Sequence, residues 1–394
     1  VSQGALIDLE VSVGDDPTAR LVEAWERGER VRLVSKGIAA RSDVAPSVDL
    51  PRVAFDRLRC APSAGVVIAT SGSSGSPRFI DIGLEAMLAS ATLGARVIPF
   101  GAGDVWHSSL APAHIGGVMI FVRALVLGGA VRVGAQPRRW SDLEGVTHVS
   151  LVGAQLARLL EDEASAPRSL KAVMLGGGPS GQALRDAAIS RGIPLFSSYG
   201  LTETSSQVAT GALRIGDAAT LAGPPIEGIG IAIDPVSGEI LVDGPTLARG
   251  EFVDGQWVEF VRPLRTRDTG FLDESGRLHI IGRLDSMFIS GGRNIHPEQI
   301  ERALAALAGV RSACVVGVAH EKWGRRPVAF IDIAAGSAEK SLRSVREQLR
   351  ATLEPHLIPD AIYRMPIDEA AGMKPSRARL SSRLASGERF DAID

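Results

Sequence analysis

Between residues 65 and 235, short apolar runs alternate with helical patterns. Gly65-Val66-Val67-Ile68-Ala69 reads as a buried strand, and so do residues 149–152, 172–175 and 194–196. Residues 182–189 predict an intervening helix, with Ala183, Leu184, Ala187, Ala188 and Ile189 as its apolar positions. Strands alternating with helices argue for an α/β fold around a largely parallel sheet. The longest apolar region, residues 115–133, carries Arg123 near its middle and the break Gly128-Gly129. A charge at the centre of a bilayer costs about 3 kcal/mol, so this region predicts a buried helix followed by a strand, not a membrane span.

After Gly238 the pattern changes. Glu239-Ile240-Leu241-Val242 is a short strand closed by Asp243-Gly244-Pro245. Phe271-Leu272 and residues 278–281 flank Asp273-Glu274-Ser275-Gly276, a hairpin signal with its glycine at the turn. This predicts an antiparallel β-subdomain. Beyond Asp285 the pattern is a compact α+β unit. Pro297 is placed at a first helical position, with Ile300, Leu304 and Leu307 as an apolar stripe. Strands at 313–318 and 328–333 follow, then a second amphipathic helix marked by Leu342, Val345, Leu349 and Leu353. The expected division is residues 1–284 and 285–394, with no internal repeat. Residues 1–64 hold no recognisable motif.

Composition narrows the class. A chain of 394 residues predicts two or three domains, and 45% hydrophobic with 22% charged residues is ordinary for a globular enzyme. A formal charge of −2 gives no field favouring nucleic acid or an anionic membrane. Cys60 and Cys314 have no metal-ligand spacing, and Cys314, in Ala313-Cys314-Val315-Val316, reads as a buried thiol. No secretory signal opens the sequence, so the cytoplasm is the expected compartment. Arginine outnumbers lysine 38 to 5.

Five separated segments carry candidate chemistry. The first is Thr70-Ser71-Gly72-Ser73-Ser74-Gly75-Ser76-Pro77-Arg78, at the end of the strand at 65–69. Its glycines admit close approach of an anion, and its hydroxyls and N–H groups donate to phosphate oxygens. By composition alone it reads equally as a flexible linker. The second is Ser198-Tyr199-Gly200-Leu201-Thr202-Glu203, where a ring, a hydroxyl and a carboxylate can stack a base, contact phosphate and hold Mg²⁺; ordinary turn residues at a strand end are the alternative. The third is Asp268, a carboxylate able to accept two hydrogen bonds from a ribose diol, or a plain turn aspartate. The fourth joins Gly282-Arg283-Leu284-Asp285 to Ser290-Gly291-Gly292-Arg293-Asn294-Ile295-His296-Pro297-Glu298. The fifth is Lys374, one of five lysines.

Together, in this order and over roughly residues 65–380, these segments resemble the adenylate-forming superfamily of acyl-CoA synthetases, peptide-synthetase adenylation domains and luciferases. Ala111-Pro112-Ala113-His114-Ile115-Gly116-Gly117, Val122-Arg123-Ala124-Leu125, Ser150-Leu151-Val152-Gly153-Ala154-Gln155-Leu156 and Leu175-Gly176-Gly177-Gly178-Pro179 are similar to the o-succinylbenzoate–CoA ligases of menaquinone biosynthesis, particularly the short actinobacterial type. The resemblance implies a large α/β N-terminal domain with mainly parallel sheets and a β-subdomain, plus a small mobile α+β C-terminal domain. It implies ATP, Mg²⁺ and coenzyme A acting on a small carboxylic acid, with a homodimer allowed.

Residue by residue, the resemblance implies that the loop from Thr70 to Arg78 clamps the ATP phosphates and that Gly176, Gly177 and Gly178 line the adenine and acyl site. Tyr199, between Ser198 and Gly200, would flank adenine. Thr202 would contact the α-phosphate, Glu203 would ligate Mg²⁺, and Asp268 would hold the ribose hydroxyls beside Arg283. Asp285 matches the hinge, Gly291 and Gly292 the pantetheine passage, and Lys374 the lysine bridging carboxylate and α-phosphate. His114 is the candidate for closing the acyl pocket, with His148 a weaker one; a structural histidine is the alternative for either. Three residues depart from the family pattern. Ser74 stands for threonine, Arg78 for lysine and Met373 for glycine. The phosphate loop also starts near residue 70, implying that much of the usual first subdomain is lacking. These departures motivate two alternatives: another aryl- or acyl-CoA ligase, or a nucleotide-binding relative that does not catalyse.

Overall fold

The computed structural model of the protein describes residues 5–12, 14–35, 63–71, 77–178, 180–307, 309–333, 342–370 and 375–393. The chain opens with β1 (Leu6–Val11), α1 (Thr18–Glu26) and β2 (Arg30–Ser35), followed by β3 (Gly65–Ser71) and β4 (Pro77–Gly83). Next come α2 (Leu84–Gly94), β5 (Val105–Ser108), α3 (Ile115–Leu127), β6 (Ala130–Val133), β7 (His148–Leu151), α4 (Gly153–Leu160), β8 (Ala172–Leu175), α5 (Gln182–Ser190), β9 (Leu195–Leu201) and β10 (Ser206–Ala212). A run of strands follows: β11 (Leu221–Gly223), β12 (Gly230–Ile233), β13 (Glu239–Asp243), β14 (Gly250–Val253), β15 (Gln256–Glu259), β16 (Leu264–Leu272) and β17 (Leu278–Arg283). The last part comprises β18 (Phe288–Ser290), β19 (Arg293–Ile295), α6 (Pro297–Ala305), β20 (Val310–His320), β21 (Gly324–Ile333), α7 (Leu342–Arg350), β22 (Ala361–Arg364), α8 (Ile367–Ala370) and α9 (Arg377–Ala385).

The expected α/β architecture holds, with one change in the sheets. The sheet ordered β10-β9-β8-β7-β5-β6 is parallel apart from β10. Its inner strands β7 and β8 are buried at every position, which is why they read as unbroken apolar runs. The first sheet, β1-β2-β3-β4-β14-β15, is mixed instead: β1, β2 and β3 run parallel, and β4, β14 and β15 pair antiparallel. Residues 1–64 therefore supply two of its strands, although no motif marked them. The third sheet, β11-β17-β16-β13-β12, is the expected antiparallel β-subdomain.

Helix α3 explains how the two large sheets share a core. Apart from Arg123 it is apolar on all sides, the signature of a fully buried helix. Val118, Met119, Val122 and Leu125 pack with the first sheet, whereas Ile120, Phe121 and Ala124 pack with the second. Gly128, in the left-handed conformation at φ +80°, stops it where the sequence broke.

The last part folds around the sheet β19-β18-β21-β20, with β22 parallel to β21. Pro297 begins α6, whose Ile300 and Leu304 are buried; Leu307 and Leu353 pack on the same core from just beyond their helices. This unit rests on the preceding part. Arg311 on β20 donates to both carboxylate oxygens of Glu161, at 2.7 and 2.9 Å, and Arg302 on α6 donates to the Ile281 carbonyl at 2.7 Å. Cys314 is buried, as expected; Cys60 lies outside the described residues. Among the described residues, no helix is long and apolar enough to cross a membrane.

Candidate active site

A cavity of about 1240 Å³ opens between the ends of the second sheet and the C-terminal unit. Of the residues singled out in the sequence, Thr70, Arg78, Gly177, Gly178, Gly200, Thr202, Glu203, Arg283 and Asp285 line it. Ser198, Tyr199, Asp268, Gly176, His114, Gly291 and Gly292 are not part of that lining.

Thr202 and Glu203 sit on a single tight turn, Thr202–Thr204, between β9 and β10. The chain reverses there through Ser205 and Ser206, both non-glycine residues at positive φ, of 52° and 90°. Such a conformation persists only where its surroundings enforce it. The Ser205 hydroxyl donates to the Thr246 carbonyl at 2.8 Å, Ser90 donates to the Ser205 carbonyl at 2.7 Å, and the Ala248 N–H donates to the Glu203 carbonyl at 2.8 Å. A Cβ on Gly200 would collide with the Ser206 carbonyl, so the glycine of this motif is required by its neighbour strand. Arg123 braces the same bulge from inside. Its Nη2 donates to Gln207 Oε1 at 2.8 Å and its guanidinium lies 5.3 Å from the Trp106 ring. Burial without an adjacent acid lowers its pKa to about 10.

Four side chains then form a continuous chain. The Tyr199 hydroxyl donates to Asp268 Oδ2 at 2.7 Å, and Arg283 Nη1 donates to Asp268 Oδ1 at 3.1 Å. The rest of the Arg283 fork grips Asp285, Nε to Oδ1 at 2.9 Å and Nη2 to Oδ2 at 3.0 Å. Strand register produces this arrangement, since Asp268 on β16 pairs directly with Arg283 on β17. Asp268 is 5% exposed, so its charge depends on these donors. Burial, together with the Asp268 charge and bond, raises the Tyr199 phenol well above its ordinary value. Burial works against the Asp285 carboxylate, yet the Arg283 fork keeps it below the usual range.

The phosphate-loop segment differs from its expected form. It joins two antiparallel strands: β3 ends at Ser71 and β4 begins at Pro77, paired with each other. Gly72, Ser73, Ser74 and Gly75 lie outside the described residues. Arg78 is thus a strand residue, opposite Thr70. Its Nη1 donates to Glu203 Oε1 at 3.2 Å and its Nε donates to Glu251 Oε2 on β14. Burial tends to lower this guanidinium, but the bond to Glu251 and the charge of Glu203 bring it net upward. Glu251 carried no signal in the sequence, because only the pairing of β14 with β4 brings it here.

The histidines separate cleanly. His148 is a core residue: it is 1% exposed, stacks on Trp106, bonds Thr147 Oγ1 at 2.7 Å and faces the Pro99 carbonyl at 2.9 Å. It does not reach the cavity, which corrects its candidacy for the acyl pocket. His114 is an exposed residue at the N-cap position of α3, where its side chain makes no capping bond, next to Ile115, which does line the cavity. Gly177, at φ +78°, needs glycine for its backbone. So do Gly291 and Gly292, at φ +57° and +79°, which form the two-residue turn of the β18–β19 hairpin.

The cavity's lining also includes Pro375, Ser376 and Arg377 from the C-terminal unit. Arg377 is held between Glu298 and Glu301 at 3.1 and 2.6 Å, and the Ser376 N–H donates to Glu369 Oε2 at 2.7 Å. Lys374 and Met373 lie outside the described residues. Among the described residues no cluster of three or more acids, histidines and cysteines could cage a metal. A single hard carboxylate, Glu203, beside the Thr202 hydroxyl still fits Mg²⁺, which keeps several waters and takes one or two carboxylates plus substrate phosphates.

Residues 16–251 match the family model described as AMP-binding enzyme, and residues 299–369 match that of the AMP-binding enzyme C-terminal domain. The chain is 33% identical over 310 residues to 2-succinylbenzoate–CoA ligase of Bacillus cereus, covering 71% of this chain and 62% of the relative. It is 38% identical over 290 residues to the enzyme of the same name from Salmonella typhimurium, covering 73% and 62%. The chain thus spans under two thirds of the length of these curated relatives. Among solved structures, a single-residue variant of E. coli MenE with bound OSB-AMS superposes with a TM-score of 0.77 at 28% identity, over 98% of this chain and 88% of that one.

Proposed function

The chain belongs to the AMP-binding enzyme family, and on that premise we propose that it is an AMP-forming acid–CoA ligase acting on o-succinylbenzoate. The observation carrying this reading is the convergence on one cavity of the Tyr199–Asp268–Arg283–Asp285 chain and the Arg78–Glu203 pair. In the first half-reaction the substrate carboxylate attacks the α-phosphorus of ATP and pyrophosphate leaves. In the second, the thiol of coenzyme A attacks the acyl-adenylate carbonyl and AMP leaves.

Two anions meet in the first step, so stabilising charge matters more than covalent help. Asp268, kept oriented by Tyr199 and Arg283, accepts from the ribose hydroxyls. Thr202 donates to the α-phosphate, with Gly177 and Gly178 lining the nucleotide's bed. Glu203 would hold Mg²⁺, which supplies charge neutralisation on the phosphates. Arg78 and Lys374 provide the protein's own cations. Gly291 and Gly292 admit the thiol arm once the C-terminal unit has rotated about Asp285, and the domain division at 284/285 belongs to the same reading. So do the cytoplasm as compartment and a homodimer as assembly; light scattering on the purified chain tests the latter.

The test is ATP/pyrophosphate exchange with and without o-succinylbenzoate, followed by CoA-dependent AMP release. Exchange that depends on this acid supports the reading. Exchange with a different aryl or aliphatic acid only would assign another acid–CoA ligase. ATP binding without turnover of any carboxylate would make the chain a non-catalytic relative.

A further inference from the structure

Arg78, at the end of the phosphate-loop segment, contacts two carboxylates from separate elements, Glu203 on the turn after β9 and Glu251 on β14. Strand alternation puts Arg78 on the same face of β4 as Ile80, and Ile80 pairs with Glu251 on β14. Arg78 is therefore the diagonal cross-strand neighbour of Glu251, within reach of a long side chain. Glu251 takes the Nε–H, while Glu203, from the turn after β9, takes Nη1. Glu203 and Glu251 are each about one-sixth exposed, with side-chain values of 16% and 17%. Both line the cavity.

The chemistry of the guanidinium makes this division of contacts meaningful. It has five N–H donors in a fixed planar fork, so Nε can be anchored while the Nη groups still point elsewhere. An ammonium has no mid-chain donor and could not be anchored in this way. We propose that Glu251 is a positioning residue, which holds Arg78 by its Nε so that the Nη donors face the phosphates beyond the α-position. This rests on the reading of the cavity as an ATP site. When the Glu203 carboxylate turns to the metal–phosphate end, Arg78 loses one partner and keeps the other. The fork then stays in place, with its Nη1 released to the β- and γ-phosphoryl oxygens. Glu251 itself touches no substrate.

The experiment is calorimetric titration of the full chain with MgATP and, separately, with AMP, without acid or CoA so that no turnover occurs. Losing one charge-assisted hydrogen bond typically costs about tenfold to a hundredfold in affinity. Glu251→Ala is expected to weaken MgATP about tenfold or more and to leave AMP, which lacks the outer phosphates, within about twofold. Glu251→Gln, whose amide oxygen still accepts from Nε, is expected to restore most of the MgATP affinity. Combining Glu251→Ala with Arg78→Lys should cost no more than Arg78→Lys alone, because a lysine has no Nε–H to lose. Should Glu251→Ala fail to fold, Glu251→Thr keeps a strand-favouring residue that cannot reach Nε and carries the same test. Equal weakening of MgATP and AMP would mean that Glu251 merely supports the site's fold, and unchanged MgATP affinity would mean that Arg78 needs no anchor; either overturns the proposal. Wild-type protein that binds neither nucleotide overturns this proposal and the ATP-site reading together, whereas normal wild-type binding with an indifferent Glu251→Ala overturns this one alone.

Discussion

Tyr199→Phe removes one oxygen and leaves the ring in place, which isolates the hydrogen bond to Asp268. That bond is 2.7 Å long, its acceptor is a carboxylate, and Asp268 is 5% exposed, so water cannot readily replace the lost donor. A bond to a charged group contributes about 1.5–3 kcal/mol, and here Arg283 remains to hold the carboxylate. A loss of about 2 kcal/mol predicts that the melting transition of the large N-terminal part falls by roughly 4–8 °C at neutral pH, read by scanning calorimetry. Alkaline behaviour gives a second, independent readout. The folded Tyr199 phenol titrates well above 10, whereas the unfolded phenol titrates near 10. The folded state therefore holds this proton more tightly than the unfolded state. The stability it contributes is fully present below pH 10 and is lost as pH rises above it toward the folded value. The chain has only two tyrosines, so phenolate absorbance can be followed almost residue by residue. Tyr199→Phe should delete the late-titrating phenol from that curve. If the deleted phenol instead titrates near 10 in native protein, or the melting point does not move, Tyr199 does not donate to a buried Asp268 and does not orient that carboxylate.

Glu203→Gln should abolish acid-dependent pyrophosphate exchange while circular dichroism stays native; exchange at the wild-type rate would remove Glu203 as the metal's ligand. Lys374→Ala should cost adenylation about 10²–10³-fold, the usual magnitude for losing a charge-stabilising donor, yet convert presynthesised acyl-adenylate to thioester at nearly the wild-type rate. Equal loss in both assays would make Lys374 structural. Leucine at Gly291 or Gly292 would break the turn whatever else it did, because both residues have positive φ. Gly292→Asn tolerates that conformation, and its Cβ would meet nothing within 4 Å in the present arrangement. It should spare adenylation and slow thioester formation; if both halves run normally, the glycines serve the hairpin and no passage.

The elements that local chemistry specifies are readable in the sequence. Gly128 ends α3, Pro297 starts α6, and Asp273 accepts from Ser275 and Arg277 N–H groups around Gly276 at φ +74°, closing the hairpin between β16 and β17. The segment after Thr70 reads as a loop throughout, because glycines and serines dominate it and Pro77 cannot donate to a ladder. Its second arm is nevertheless a strand, stabilised by β3 on one side and by β14, about 170 residues later, on the other. Periodicity reports which face of an element is buried and says nothing about its partner. That is why Arg78 is legible as a phosphate-loop cation and Glu251 is invisible. The two histidines show the same limit: the sequence offers His114 and, more weakly, His148, and only packing puts His148 in the core with both ring nitrogens engaged.

The cavity's walls come from both parts of the chain, with Thr202, Glu203 and Gly178 on one side and Ser376, Arg377 and Ser312 on the other. Any molecule that touches both walls at once must bind this arrangement better than one in which the walls have moved apart. Affinity and posture are then two readings of one equilibrium, and each is obliged to respond to the other by the same factor. The Arg311–Glu161 pair lies on the seam between the parts, with Arg311 at the cavity wall and Glu161 outside its lining. Its strength helps set the fraction of molecules ready to receive ligand, and the apparent dissociation constant is the intrinsic one divided by that fraction. Occupancy of this cavity is therefore tunable through Glu161, a half-exposed residue of the seam that is not part of the cavity's lining.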